Sequence, residues 1–155
     1  MKRTLWSSVI ASMVLVMGPM ATAPAHATSV TTDLAVVSVK VTDITTPGAT
    51  VAQPGDKLKF VPVVKNFGPD VADITVSSSE AIHVCLSSPY FVVETADRRC
   101  LYSGVPSGTK FNAMKAKPDA PASGSVDVTF CVTPTNGQID PLGSNDCKTG
   151  SIAVA

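Results

Sequence analysis

The sequence predicts an all-β chain, an immunoglobulin-like antiparallel sandwich of about seven to nine strands held by two disulfides. Three observations carry this. Short runs alternate apolar with polar residues, and turn residues punctuate those runs at regular intervals. No segment shows the apolar period of an amphipathic helix.

The first 27 residues read as a Sec-type signal peptide that is cleaved. Lys2 and Arg3 give a positive start, Leu5 to Met17 is mostly apolar, and Ala25-His26-Ala27 supplies the small-x-small cleavage pattern. The apolar run is too short for a spanning helix, and no cysteine follows it as a site for lipid attachment. The lone tryptophan, Trp6, lies in this segment. Residues 28–155 then form a single domain of 128 residues, enough for a two-layer core. That domain has ten basic and twelve acidic residues, a formal charge of −2. Such a balance gives no support to nucleic-acid or anionic-membrane binding, which needs a basic face. The expected location is extracellular, with no membrane span after cleavage.

Asp33 to Ile44 is the first expected strand, with Ala35, Val37, Val39 and Val41 on one face and Ser38, Lys40 and Thr42 on the other. Thr46-Pro47-Gly48 breaks it, and Ala49 to Ala52 is a short extended piece that can switch sheets. Val51 to Val76 reads as a hairpin. Leu58, Phe60 and Val64 share one face, Lys57, Lys59 and Lys65 the other, and Asn66 to Asp70 reverses the chain. Pro62 lacks a ladder donor and belongs at an edge or a bulge. Further strands are expected at Ile82 to Leu86, at Tyr90 to Glu94 and from Cys100, after a charged turn at Ala96 to Arg99. Thr109 to Lys117 is another, with Phe111 and Ala113 on one face. A polar loop, Lys117 to Gly124, leads to Ser125 to Thr133, whose Val126, Val128, Phe130 and Val132 point inward. Thr135-Asn136-Gly137 turns the chain, and Cys147 to Ala155 closes it.

Cys85, Cys100, Cys131 and Cys147 form an even set in an exported small domain, which predicts disulfides. No C-x-x-C spacing supports a metal site. Three pairings exist, and Cys85–Cys100 with Cys131–Cys147 is favoured because each pair brackets its own excursion. Parity places Cys131 and Cys147 opposite the apolar faces of their strands. This predicts a bridge on the outer surface of the sheet, not the inter-sheet bridge of antibody domains.

Several segments together resemble a known module. Asp33-Leu34 opens a valine-rich strand, Q-P-G-D runs from Gln53 to Asp56, and K-N-F-G-P-D-V-A runs from Lys65 to Ala72. A turn at Val105 to Gly108 precedes a new strand, and Ile139-Asp140-Pro141 leads into S-N-D-C-K-T-G-S-I-A-V-A. The pattern resembles CARDB (cell-adhesion-related domain in bacteria) and is similar to the conserved-repeat domain of unknown function eleven. The resemblance implies an Ig-like fold and a role in surface, matrix or adhesion architecture. Three features depart from it. Asp146 stands where a second asparagine is common, Cys147 where a small residue is usual, and Val84 to Arg99 is irregular.

Catalytic sets are not evident. His83 is the sole histidine after the leader, has no nucleophile setting beside it, and reads as a half-exposed strand residue. No enzyme activity and no cofactor are expected. Asn136, Asp140, Asn145 and Asp146 bring four oxygen-bearing side chains into one stretch, but the spacing fits no EF-hand; Asx turns are the plainer reading and calcium the weaker one. A Lys40–Asn145 isopeptide bond is disfavoured because Lys40 lies on the polar face of its strand. With only Tyr90 and Tyr102 besides its phenylalanines, the domain lacks the aromatic platforms that stack on sugars.

One segment stands out as a contact site. Between Cys85 and Cys100, Tyr90 and Phe91 lie near Arg98 and Arg99, residue types enriched at hot spots, in a loop already restrained by a disulfide. The competing reading, that Tyr90 to Val93 is a buried strand, is favoured because four consecutive apolar residues seldom stay exposed. The expected partner is an unknown extracellular protein or cell-surface component, in interaction or adhesion. The alternative is a small-ligand carrier or secreted protease inhibitor using the Cys85–Cys100 loop.

Overall fold

The computed structural model describes residues 30–155 apart from Ile82 and Arg98; the signal-peptide expectation for residues 1–27 lies outside the described residues. Eleven strands follow in order: β1 (Leu34–Asp43), β2 (Val51–Ala52), β3 (Leu58–Asn66), β4 (Ala72–Ser78), β5 (His83–Cys85) and β6 (Phe91–Glu94), then β7 (Cys100–Val105), β8 (Lys110–Asn112), β9 (Met114–Ala116), β10 (Gly124–Pro134) and β11 (Cys147–Val154). One sheet runs β1-β3-β9-β5, with β8 also on β3; the other runs β2-β11-β10-β4-β7-β6. This is the Ig-like sandwich that the alternating pattern predicts. All strand pairs are antiparallel except β2 with β11, which run parallel.

Alternation is cleanest in β3, where Leu58, Phe60, Pro62, Val64 and Asn66 are buried and every residue between them is half-buried. Phe60 packs with Leu34, Leu58, Ile74, Tyr102 and Phe130 in a core of fully buried side chains. Each such side chain stabilises the fold by about 1.5–3 kcal/mol relative to exposure. Short β2 pairs in the second sheet while β1 and β3 belong to the first, so Val51-Ala52 does switch sheets.

Three local expectations are corrected. Leu34 and Val36, not Val37, are in the core at the start of β1, because the register shifts between Val36 and Ser38. That bulge inverts the parity, after which Val39 and Val41 face inward as expected. The strand expected over Thr109 to Lys117 is broken at Ala113 into β8 and β9. Val63 pairs with Asn112 and Phe60 with Ala116, so three steps along β3 oppose four along its neighbour. Pro62 sits beside this irregularity, where a missing donor is tolerated.

The third correction concerns Val51 to Val76, which is not a hairpin. β3 and β4 lie in different sheets, and Asn66 to Val71 carries the chain between them. Asn66, fully buried, holds this arch: its Nδ2 donates to the carbonyls of Asp70 (2.9 Å) and Val105 (3.0 Å), and its Oδ1 accepts from the Gly68 amide (3.0 Å). Gly68 is required by space, since a Cβ there would lie 2.5 Å from the Asp33 amide nitrogen. Turn residues report that a chain reverses; they do not report whether its two arms pair or face each other.

Candidate functional site

The Cys85–Cys100 segment occupies one side of the sandwich. β5 is the edge of the first sheet and β6 the edge of the second, and the Cys85–Cys100 bridge (Cα–Cα 5.6 Å) ties β5 to β7 across the two sheets. Cys100 is fully buried. The second bridge, Cys131–Cys147, joins residues directly opposite each other in β10 and β11, on the face away from the core. Thus the inter-sheet bridge of this domain is the earlier pair.

Tyr102 anchors the segment from beneath. Its ring meets Phe91 (centroids 5.7 Å apart) and Phe111 (5.0 Å), and Phe111 in turn meets Tyr90 (5.8 Å). Its hydroxyl lies against the carbonyls of Leu86 (3.2 Å) and Ala113. Burial raises its pKa above the ordinary tyrosine value, so it stays a neutral donor. The sequence reading gave Tyr102 no such role.

The favoured reading of Tyr90 to Val93 as a buried strand is corrected. Tyr90 and Phe91 turn inward and are half-buried, whereas Val92 and Val93 are 53% and 46% exposed. The register of β6 on β7 shifts between Phe91 and Val93, which breaks the two-residue alternation. Val84 on β5 is also exposed, at 48%. Of the arginines nominated as contacts, Arg98 lies outside the described residues. Arg99 is exposed and its Nε donates to Asp97 at 2.8 Å. A hydrogen bond from the Thr95 hydroxyl, then the Arg99 charge, holds the Asp97 carboxyl below its usual range. At the foot of this turn a polar cleft of about 320 Å³ is lined by Ser77, Ser78, Ser79, His83, Asp97 and Arg99, among others. His83 is half-buried, and its Nδ1 donates to the Glu80 carbonyl at 3.0 Å.

The four late Asx residues separate into two places. Asn136 lies at an exposed turn, where its Nδ2 donates to Asp73 at 2.8 Å. Asp140, Asn145 and Asp146 instead gather around the start of β1. Asp140 accepts from the amides of Leu34 (2.7 Å) and Leu142 (2.9 Å), and Asn145 Nδ2 donates to Asp33 at 3.2 Å. Burial, followed by the charges of Asp140 and Asp33, pushes the Asp146 carboxyl up to about 6. Asp33 is the member of this group that the sequence reading missed. Lys40 is exposed on β1, as its polar-face assignment requires.

No protein-family model matches the sequence, and no curated protein matches it significantly. The similarity is structural. The crystal structure of the CARDB domain of the PF1109 protein from Pyrococcus furiosus, in complex with di-metal ions, matches with a TM-score of 0.50 at 15% identity, covering 82% of this chain and 96% of that one. The fold is that of a CARDB domain. The solution structure of the same P. furiosus domain gives a TM-score of 0.44 at 16% identity over 81% of this chain and 97% of that one. A cohesin module from a Clostridium perfringens family 33 glycoside hydrolase gives 0.39 at 9% identity, over 81% and 98%. At these identities CARDB describes the architecture of this chain and nothing more. Among the described residues no helix is long and apolar enough to cross a membrane.

Proposed function

We propose that the chain is a secreted, non-enzymatic CARDB-like domain that binds an extracellular protein or cell-surface component through the edge built by its Cys85–Cys100 segment. One observation carries the reading: Val92 and Val93 stand exposed on an edge strand, where burial was the expected fate of the run. An edge strand offers unpaired backbone groups as well as side chains, the combination used when a partner adds a strand. The Cys85–Cys100 bridge restrains the segment before contact, so less ordering entropy is lost on binding.

The test compares the oxidised domain, residues 28–155, with its Val92→Ser/Val93→Ser variant on the surface fraction of the native culture. The wild-type domain should be retained and the variant should lose about tenfold or more in apparent affinity, the loss expected of a hot spot. Equal retention of both, with equal circular dichroism, would show that this edge is not the contact.

A further inference from the structure

Asn136-Gly137 is the sole Asn-Gly step in the chain. It forms the turn after β10, with φ of 56° at Asn136 and 74° at Gly137; among the described residues Asn136 is the one non-glycine with positive φ. The turn is clasped to the start of β4 through Asp73. The Thr135 amide donates to the Asp73 carbonyl (2.9 Å), the Asp73 amide donates to Gln138 Oε1 (2.8 Å), and Gln138 Nε2 donates to the Val71 carbonyl (3.1 Å). The Asp73 carboxylate completes the clasp: one oxygen accepts from Ser103 Oγ (2.6 Å) and the Gly104 amide (2.8 Å), the other from Asn136 Nδ2 (2.8 Å).

An asparagine before glycine is the step most prone to intramolecular imide formation, because no Cβ shields the attacking nitrogen. The Gly137 backbone nitrogen attacks Asn136 Cγ and loses its proton to solvent, while the Asn136 side-chain nitrogen takes up one proton and leaves as ammonia as its bond to Cγ breaks. Water then opens the five-membered imide at either carbonyl, giving aspartate or isoaspartate. The first move requires Asn136 Cγ to swing onto the Gly137 nitrogen. Here the departing nitrogen is held by Asp73, which opposes that swing.

We propose that Asn136-Gly137 is a latent modification site guarded by Asp73, and that its conversion is a one-way release of the turn. Conversion removes the Nδ2 donor and sets a second carboxylate against Asp73, within reach of a hydrogen bond that can no longer form. Like charges at that separation repel, so the clasp does not re-form. Isoaspartate adds a backbone methylene to the same turn, with the same result.

The experiment incubates the oxidised domain, residues 28–155, at mildly alkaline pH and follows Asn136 by peptide mapping as a gain of about one mass unit. The folded wild type should convert more slowly than a free peptide spanning Thr133 to Ile139. Asp73→Ala should speed conversion roughly three- to tenfold, the range that one exposed charge-assisted hydrogen bond supplies. If Asp73→Ala does not fold, Asp73→Asn keeps an acceptor without the charge and should convert at an intermediate rate. Equal rates in the wild type, the folded variant and the peptide would overturn the guard. For the release, Asn136→Asp mimics the product and Asn136→Ser removes the amide donor without adding a charge. The aspartate variant should melt below the serine variant at low salt, with the gap closing at high salt. Equal melting at low salt would overturn the one-way release.

Discussion

The β5–β6 edge and the β10–β11 pair each carry a disulfide closing a loop of nearly the same length, 15 and 16 residues in separation, yet the bridges do different work. Cys131 and Cys147 face each other at the end of a ladder that runs from Gly124↔Val154 to their own position. Backbone hydrogen bonds would hold those strands without the sulfurs. Cys85 and Cys100 belong to different sheets, and β5 itself pairs over only His83 to Cys85. The chain-entropy model, blind to such context, assigns either bridge about 3 kcal/mol through the unfolded state. The difference therefore lies in the native state: one bridge shapes an exposed edge from a buried anchor, and the other repeats a connection already made.

The largest effect should follow removal of the earlier bridge. Cys85→Ala/Cys100→Ala loses the entropic contribution and opens a cavity at the buried Cys100, so denaturant unfolding should show a loss of more than about 3 kcal/mol. Cys131→Ala/Cys147→Ala should cost about 3 kcal/mol or less, because Cys147 is exposed and leaves no cavity. Equal losses would show that native packing adds nothing to the comparison. A smaller effect is expected beside β11. The Asp146 carboxyl is raised to about 6, chiefly by burial, so the folded chain binds its proton more tightly than the unfolded chain does. Stability from this group is fully present at low pH and is lost as pH climbs from about 4 to about 6. Asp146→Asn, which resembles the protonated acid, should stabilise the domain at pH 7 by up to about 1 kcal/mol after screening and flatten that part of the stability–pH curve. An unchanged curve would show that the Asp146 carboxyl does not couple to folding.

Strand positions were legible in the sequence because they follow from short-range periodicity, and the disulfide pairing because each pair closes its own excursion. Leu58 to Val64 and Val126 to Val132 each keep one parity from end to end, and their buried faces match it. Illegibility begins where one residue is inserted. The bulge after Val36, the break at Ala113 and the slip between Phe91 and Val93 each exchange inside for outside, and no residue type marks them. Sheet membership was equally hidden: Asn66 to Asp70 reads as a hairpin turn, and its role as an arch depends on Val105, thirty-nine residues away. The candidate site suffered for the same reason. Tyr90 and Phe91 were nominated for chemistry that their ring contacts with Phe111 and Tyr102 take up, while the exposed Val92 and Val93 looked like core. Asp33 joined the acidic group only through a fold that brings the start of β1 to the loop before β11.

A rival apolar surface exists at the end of the sandwich where β1 begins. Phe67, Val71, Ile139 and Leu142 are each about half exposed there, on segments joined by the hydrogen bonds around Thr31 to Asp33. Hydrogen exchange of the oxidised domain, with and without the native surface fraction, separates the two. Amides of residues 91–94 should gain protection on binding, and those around Phe67 and Ile139 should not. Protection at the Phe67–Ile139 end with an unchanged β6 would contradict binding through the Cys85–Cys100 edge.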